Sequence, residues 1–410
     1  MGYEAFIARR HLRSQSRLGF IPIISIISIL GVFVGVMALL VVLAVMNGFE
    51  QEVKARIIGT NAHVILLRYG NEPFAPDEGL LERVRTTEGV VALSPFVYTK
   101  AMLQTGDEQD GIVLKGIDPA GEPGVSDLLR RTIPEGESLA WDGSGSPPAL
   151  LGSELALSLG VLTGETIVLA SFQNAARTPF GTVPKMTRFR VAGTFDSGMY
   201  EYNSTLVLVP LRAAQGFLGM GENVTGVSIR VDDAYRAPEI ADRVAARVGH
   251  PPYRTNNWID LNRTLFSWMS TEKRVMFVIL ALVILVAAFN IASTLIMVVM
   301  EKTREIGVLK SMGASLRGVL AIFVIEGTTI GAIGTALGLA GGYALCWLLD
   351  RYNFIPLPGD IYFIDSLPVR MEAIDFARVA AASMAICLVA TLYPAWKASR
   401  LDPVQAIRYE

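Results

Sequence analysis

A chain of 410 residues that is 51% hydrophobic and only 18% charged is too apolar for a set of ordinary water-soluble domains, where about a quarter of residues are charged. Its 36 basic and 38 acidic residues leave a net charge of −2, which excludes a nucleic-acid partner held by bulk positive charge. Two cysteines and three histidines leave little from which to build a metal site of those ligands.

The first uncharged block covers residues 18–49. It is far longer than the roughly 7–15 apolar residues of a signal-peptide core, and no A-x-A site follows it, so it reads as an uncleaved anchor. Further uncharged blocks lie at 275–300, 327–349 and 379–396. A helix crosses the bilayer core with about 20 apolar residues. The blocks predict four transmembrane helices, at 21–46, 275–300, 319–349 and 378–396. Lys and Arg set the orientation. Arg9, Arg10, Arg13 and Arg17 precede the first span, Lys302, Arg304, Lys310 and Arg317 follow the second, and Lys397, Arg400 and Arg408 follow the fourth. These place the segments 1–20, 301–318 and 397–410 in the cytoplasm. The loop 350–377 has only Arg351 and Arg370, outnumbered by acids, and belongs outside.

Residues 47–271 then form a large outer domain between the first and second spans. It contains no cysteine, and Cys346 and Cys387 lie inside spans, so no disulfide supports it. Runs of β-branched and aromatic residues predict strands at 63–67, 96–103, 112–115, 166–170, 189–191, 205–209 and 227–230. Helical periodicity appears at 78–86, 154–159, 211–218 and 237–248. The mixture is α+β. The loop 136–148, rich in Gly, Ser and Pro, suggests the edge of a piece inserted at about 121–220. Within that piece, residues 175–185 (AARTPFGTVPK) connect two strands. Pro179 and Pro184 stiffen this loop, Gly181 permits a reversal, and Phe180 and Val183 have little core to enter. A stiff apolar loop suits docking on a partner, although an ordinary long hairpin tip is the simpler reading of the residues. Trp258, Leu261, Leu265 and Trp268 recur at helical spacing and predict an amphipathic approach to the second span.

At the cytoplasmic face, Ile306, Leu309 and Met312 form an apolar stripe within EKTREIGVLKSMGAS at 301–315, and Gly313 suits a helix end. Two readings stand: a short helix resting on lipid headgroups, and a helix that fits a groove in a motor subunit. Glu326, near the start of the third span, is a functional candidate as an intramembrane charge, with snorkelling or capping a partner as the other reading. Gly327, Gly331, Gly334, Gly338 and Gly342 follow at small-xxx-small spacing, which allows close helix packing or dimerisation. The chain has no Gly-Lys pair and hence no P-loop, and it lacks H-E-x-x-H and G-x-S-x-G. Work on a membrane substrate would draw its energy from another chain.

The order of span, large outer domain and three spans, with EKTREIGVLKSMGAS after the second span and TLYPAWKASRLDPVQAIRYE at the end, resembles the permeases of the MacB/FtsX class of ATP-binding-cassette systems. Within that class, VMNGFEQEV (45–53), NNWIDLNRTLFSWMSTEK (256–273) and AAFNIASTLIMVVMEK (287–302) are similar to the LolC/LolE lipoprotein-releasing permeases. TPFGTVPK with TRFRVAGTF resembles the hook of the LolC type, whereas GDIYFIDSLP (359–368) is closer to the LolE type. The resemblance implies a non-catalytic, multi-pass subunit of the bacterial inner membrane, with both termini cytoplasmic and the large α+β domain periplasmic.

The resemblance also assigns roles. Pro179, Phe180, Gly181, Val183, Pro184 and Lys185 would form a hook for a LolA-type periplasmic chaperone, with Lys185, Arg188 and Arg190 as candidates for an accompanying basic pad. Glu305, Ile306, Gly307, Leu309, Met312 and Gly313 would couple to a LolD-type ATPase dimer. That dimer would hold ATP and magnesium, and this chain would bind no cofactor. Met46, Asn47, Phe49, Tyr362 and Phe363 would line a cavity for the lipoprotein substrate, shared with a second permease that is either another copy or a LolE-like paralogue. The aromatics among them suit an interfacial belt equally well. A MacB-like exporter, or an FtsX-like regulator partnered with a separate ATPase, is the alternative.

Overall fold

The computed structural model describes residue 7 and residues 20–400, apart from 107, 131, 135–138, 179–180 and 353–366. The chain opens with the long helix α1 (Phe20–Thr60), followed by β1 (Val64–Arg68), α2 (Glu78–Arg85), β2 (Val90–Thr105) and β3 (Glu108–Ile117). Next come α3 (Glu122–Val125), β4 (Thr132–Ile133), β5 (Pro148–Gly152), α4 (Ser153–Ser158), β6 (Thr166–Thr178) and β7 (Gly181–Phe195). Then follow α5 (Tyr200–Thr205), β8 (Leu206–Pro210), α6 (Leu211–Leu218), β9 (Gly226–Val231), α7 (Ala237–Val248), β10 (Tyr253–Asn257) and α8 (Trp258–Leu261). The chain closes with α9 (Arg263–Glu301), α10 (Thr303–Ser311), α11 (Leu316–Tyr352) and α12 (Ala373–Ser399). Two compact units result, one holding the long helices and the other spanning Gln51–Ser267.

Among the described residues four helices are long and apolar enough to cross a membrane: Ile26–Thr60 of α1, α9, α11 and α12. The first continues well past residue 46 as one helix. Its polar extension is made of good helix formers, and Glu52 and Arg56 pair four residues apart at 2.9 Å. The glycines of α11 are used inside the chain. A side chain at Gly334 or Gly338 would meet Val32 or Val36 of α1 at 2.8 and 2.7 Å, and one at Gly331 would meet Cys387 of α12 at 2.7 Å. The small-residue stripe therefore lets α11 lie close between α1 and α12. Hydrogen bonds of 3.0 Å between Ser28 and Thr294, and 2.8 Å between Thr335 and Ser383, join α1 to α9 and α11 to α12. Glu326 is buried in α11, which removes the snorkelling reading.

In the outer unit the strands form a ten-stranded sheet. Strand β2 pairs with β3, β3 with β8, β8 with β5, β5 with β7, β7 with β6, and β6 returns to residues 102–104 of β2. These pairings close a barrel and leave no free edge around it. Val97, Leu103, Leu114, Leu151, Leu169, Phe189 and Val207 share its core. The inserted piece expected at about 121–220 thus has no boundary of its own here, because β2 and β3 precede it and complete the same barrel. The first half of β2 pairs instead with β9, which leads on to β1 and β10.

Strands β5 and β10 were not among the predicted ones. PALLG is a short, fully buried run, and YRTNN carries no apolar alternation. The amphipathic approach at 258–268 is also corrected. Asn257 caps α8 by accepting from the amides of Ile259 and Asp260, and Asn262, with non-helical φ −109°, separates α8 from α9. Trp258 is buried against Tyr235 and Phe266 and donates to the Ala234 carbonyl at 2.6 Å, while Trp268 is exposed.

Candidate functional site

Three groups of residues were singled out by the sequence, and the structure places each separately. The segment 175–185 is mostly strand. β6 and β7 extend into it as the two arms of a hairpin, with Ala176 opposite Val183 and Thr178 opposite Gly181. Pro179 and Phe180 lie outside the described residues. The hairpin reaches beyond its neighbours, since β6 touches β2 only through Val168–Ala170 and β5 pairs with β7 only from Arg190 onward. Past those points it is a two-stranded ribbon, where Pro184 removes no hydrogen bond from an inner strand. A register shift between Ser171 and Ala176 adds a bulge opposite Val183–Lys185. Val183 and Met186 are more than half exposed. Pro184 is half-buried, and the exposed Lys185 donates to the Gly216 carbonyl of α6 at 2.8 Å, anchoring the ribbon's base. Arg188 and Arg190 are exposed on one face of β7, alternating with buried Phe189 and Val191.

The segment after the second span is the helix α10, ended by Gly313 at φ +99°, a conformation that favours glycine. The predicted apolar stripe is divided. Ile306 and Gly307 are buried, and Ile306 shares the core of Val319, Phe323, Ala395 and Ala398. Leu309 is half-buried, whereas Met312 is 81% exposed. Val308, four residues before Met312, is also exposed, as is Leu316 just after the turn. The outward apolar face is thus Val308 and Met312, not Ile306 and Leu309, and the i, i+4 spacing was present in the sequence. Glu305 pairs with Lys302 at 2.6 Å. Lys310 donates to the Ser399 carbonyl at the end of α12 at 3.0 Å, where a cation suits the helix C-terminus.

At the outer end of the first span, Met46 and Phe49 are half-buried. Tyr362 and Phe363 lie outside the described residues. Asn47 is buried, and its side chain is engaged. It donates to Asp375 Oδ2 at 2.6 Å and accepts from Lys273 Nζ at 2.5 Å. Lys273 also lies 3.7 Å from Glu50, and Arg378 lies 3.6 Å from Asp375. Beside this cluster, the Arg370 amide donates to the Ala44 carbonyl at 2.9 Å, and a methyl at Gly48 would collide with the Pro368 carbonyl. Asn47 therefore joins three helices rather than facing a cavity.

Among the described residues no group of His, Cys, Asp and Glu could hold a metal ion.

Two family models match the chain: the MacB-like periplasmic core domain over residues 25–247 and the FtsX-like permease C-terminal over 277–403. The lipoprotein-releasing system transmembrane protein LolC of Xylella fastidiosa strain Temecula1 is 36% identical, with 98% of each chain covered. The chain belongs to the LolC/LolE family. It is 30% identical to the LolE protein of Haemophilus influenzae over 99% of each chain, and 26% identical to the LolC protein of the same organism over 99% of this chain and 98% of that one. Its likeness is therefore not confined to one branch of the LolC/LolE family.

Proposed function

We propose that this chain is the permease subunit of an ATP-driven complex that extracts lipoproteins from the outer leaflet of the inner membrane and hands them to a LolA-type periplasmic chaperone. The observation that carries the reading is the likeness to lipoprotein-releasing system proteins over essentially the whole of both chains. A MacB-like exporter has less support, because full-length relatives at 30–36% identity are named as lipoprotein-releasing system proteins. Each buried CH₂ of an acyl chain contributes about 0.8 kcal/mol to anchoring, so extraction of a multiply acylated protein is steeply uphill and needs coupling to ATP. On this reading the chain itself is not a catalyst. ATP and magnesium belong to a LolD-type ATPase dimer that docks on the exposed Val308 and Met312 of α10, next to Glu305, Leu309 and Gly313. The ribbon of β6 and β7 presents Val183 to the chaperone, with Lys185 at its base, and Pro179, Phe180, Gly181 and Pro184 share that role. Met46 and Phe49, with Tyr362 and Phe363, border the lipoprotein cavity. Both termini are cytoplasmic and the barrel domain is periplasmic.

The test is reconstitution of the chain with its ATPase in proteoliposomes loaded with a lipoprotein. ATP together with a soluble LolA-type chaperone is expected to transfer the lipoprotein to the soluble fraction. Transfer at the same rate without ATP, or none with it, overturns the reading.

A further inference from the structure

The fourth span is tied at both ends by polar contacts that packing alone does not require. At its cytoplasmic end, Lys310 of α10 holds the last carbonyl of α12, and Ile306 is embedded beside Ala395 and Ala398. At its outer end, Asp375 in the first turn of α12 is buried and accepts from Asn47 of α1, whose oxygen accepts from Lys273 of α9. The groups facing this cluster are Glu50 on Lys273 and Arg378 on Asp375. A carboxylate in a helix's first turn is favoured by the helix dipole, but its burial requires partners. Here those partners come from two other spans. One of them, α1, runs without a break from the membrane to Thr60, and α9 likewise begins at Arg263, ahead of its apolar block.

We infer that Asp375, Asn47 and Lys273 form a clasp through which α12 carries motor-driven movement from α10 to the outer ends of α1 and α9. The inference rests on the permease reading above. Asp375 and Asn47 are positioning residues: they touch neither nucleotide nor lipoprotein and act by joining helices. Coupling between distant sites can be carried by a rigid element joined to its neighbours through hydrogen-bond and ion-pair networks. The Lys310–Ser399 and Asp375–Asn47 contacts give α12 such connections, and the buried Thr335–Ser383 bond adds a third to α11 along its length.

The test uses the whole complex with its ATPase, carrying an environment-sensitive fluorophore on Arg274→Cys at the exposed outer end of α9. The native Cys346 and Cys387 are buried and leave little background. With ATP and magnesium, the fluorophore is expected to report a spectral change. Asp375→Leu is expected to reduce that change by about tenfold or more while ATP hydrolysis continues, the scale expected for loss of a buried charge-assisted hydrogen bond from a coupled step. Asn47→Asp sets two carboxylates against each other and is also expected to lose the signal. The swap Asn47→Asp with Asp375→Asn restores one amide facing one carboxylate, keeps an acid beside Lys273, and is expected to recover it. A full signal in Asp375→Leu overturns the clasp, as does a swap that does no better than Asn47→Asp alone. The swap comparison decides even if Asp375→Leu fails to assemble. A normal, clasp-dependent signal without any lipoprotein release would instead overturn the permease reading and leave the clasp standing.

Discussion

Lys115 and Glu122 form a buried pair in the outer domain: the ammonium donates to Glu122 Oε1 at 2.7 Å, the Ser126 hydroxyl donates to the same oxygen at 2.7 Å, and Glu122 has no exposed surface. Removing one partner of such a pair leaves an uncompensated buried charge. Lys115→Met is therefore expected to destabilise the domain by about 3–5 kcal/mol, and Lys115→Met with Glu122→Gln by much less. Thermal unfolding of the detergent-solubilised chain measures both, and equal losses would show that the pair is not the source. A second residue makes stability depend on pH. His63 is buried, and its Nδ1 accepts from the Val231 amide at 3.3 Å. Burial, reinforced by the Arg230 charge, holds its pKa below the ordinary 6.5. The unfolded chain thus takes up this proton more readily than the folded one. The stability linked to His63 is full above pH 6.5 and is lost as pH falls through and below that value. An unfolding series from pH 8 to pH 5 is expected to slope downward on the acid side, and His63→Gln is expected to flatten that slope.

At the level of elements, the hairpin and the cytoplasmic helix make separable predictions. Val183→Glu places a charge on the exposed ribbon and is expected to block transfer to the chaperone with assembly and ATP hydrolysis intact. Met312→Glu alters the outward face of α10 and is expected to break the link to the motor, lowering the release obtained per ATP hydrolysed. Paired assays of release and hydrolysis separate the two, and a Val183→Glu complex that transfers normally would remove the hairpin from the hand-over. The sequence made part of this legible. Long uncharged blocks mark helices without any tertiary information, and α6 and α7 carry an amphipathic period that sets their ends at Leu218 and Val248. The extent of the hairpin was not legible, because two prolines and a glycine in residues 179–184 read as a loop while the pairing that extends the arms is made across the strands. The face of α10 was misassigned for a related reason. Ile306, Leu309 and Met312 share a helical stripe, but which side is buried depends on α11 and α12, which follow later in the chain. The clasp was least visible, since Asn47 and Asp375 lie 328 positions apart and the motif that holds Asn47 does not include its partner.

Among the described residues two spans are notably bare: the apolar stretch of α11 is 50% buried, whereas those of α9 and α12 are only 20% and 22% buried. Val275, Ile279, Leu282, Val286 and Phe289 of α9 are all exposed. Their alternating spacing of four and three is the heptad pattern with which one helix packs along another. The glycines of α11 already serve contacts inside the chain, which makes the exposed face of α9 the candidate surface for a second permease. The partner expected there is a second copy of the same chain. Expressed with its ATPase and no paralogue, Val286→Cys is expected to form a disulfide-linked dimer under mild oxidation, while Leu157→Cys, exposed in the outer domain, is not. Two differently tagged copies of the chain should co-purify in the same preparation. If the tagged copies separate, and release appears only when a LolE-like paralogue is supplied, the bare face of α9 belongs to a heterodimer.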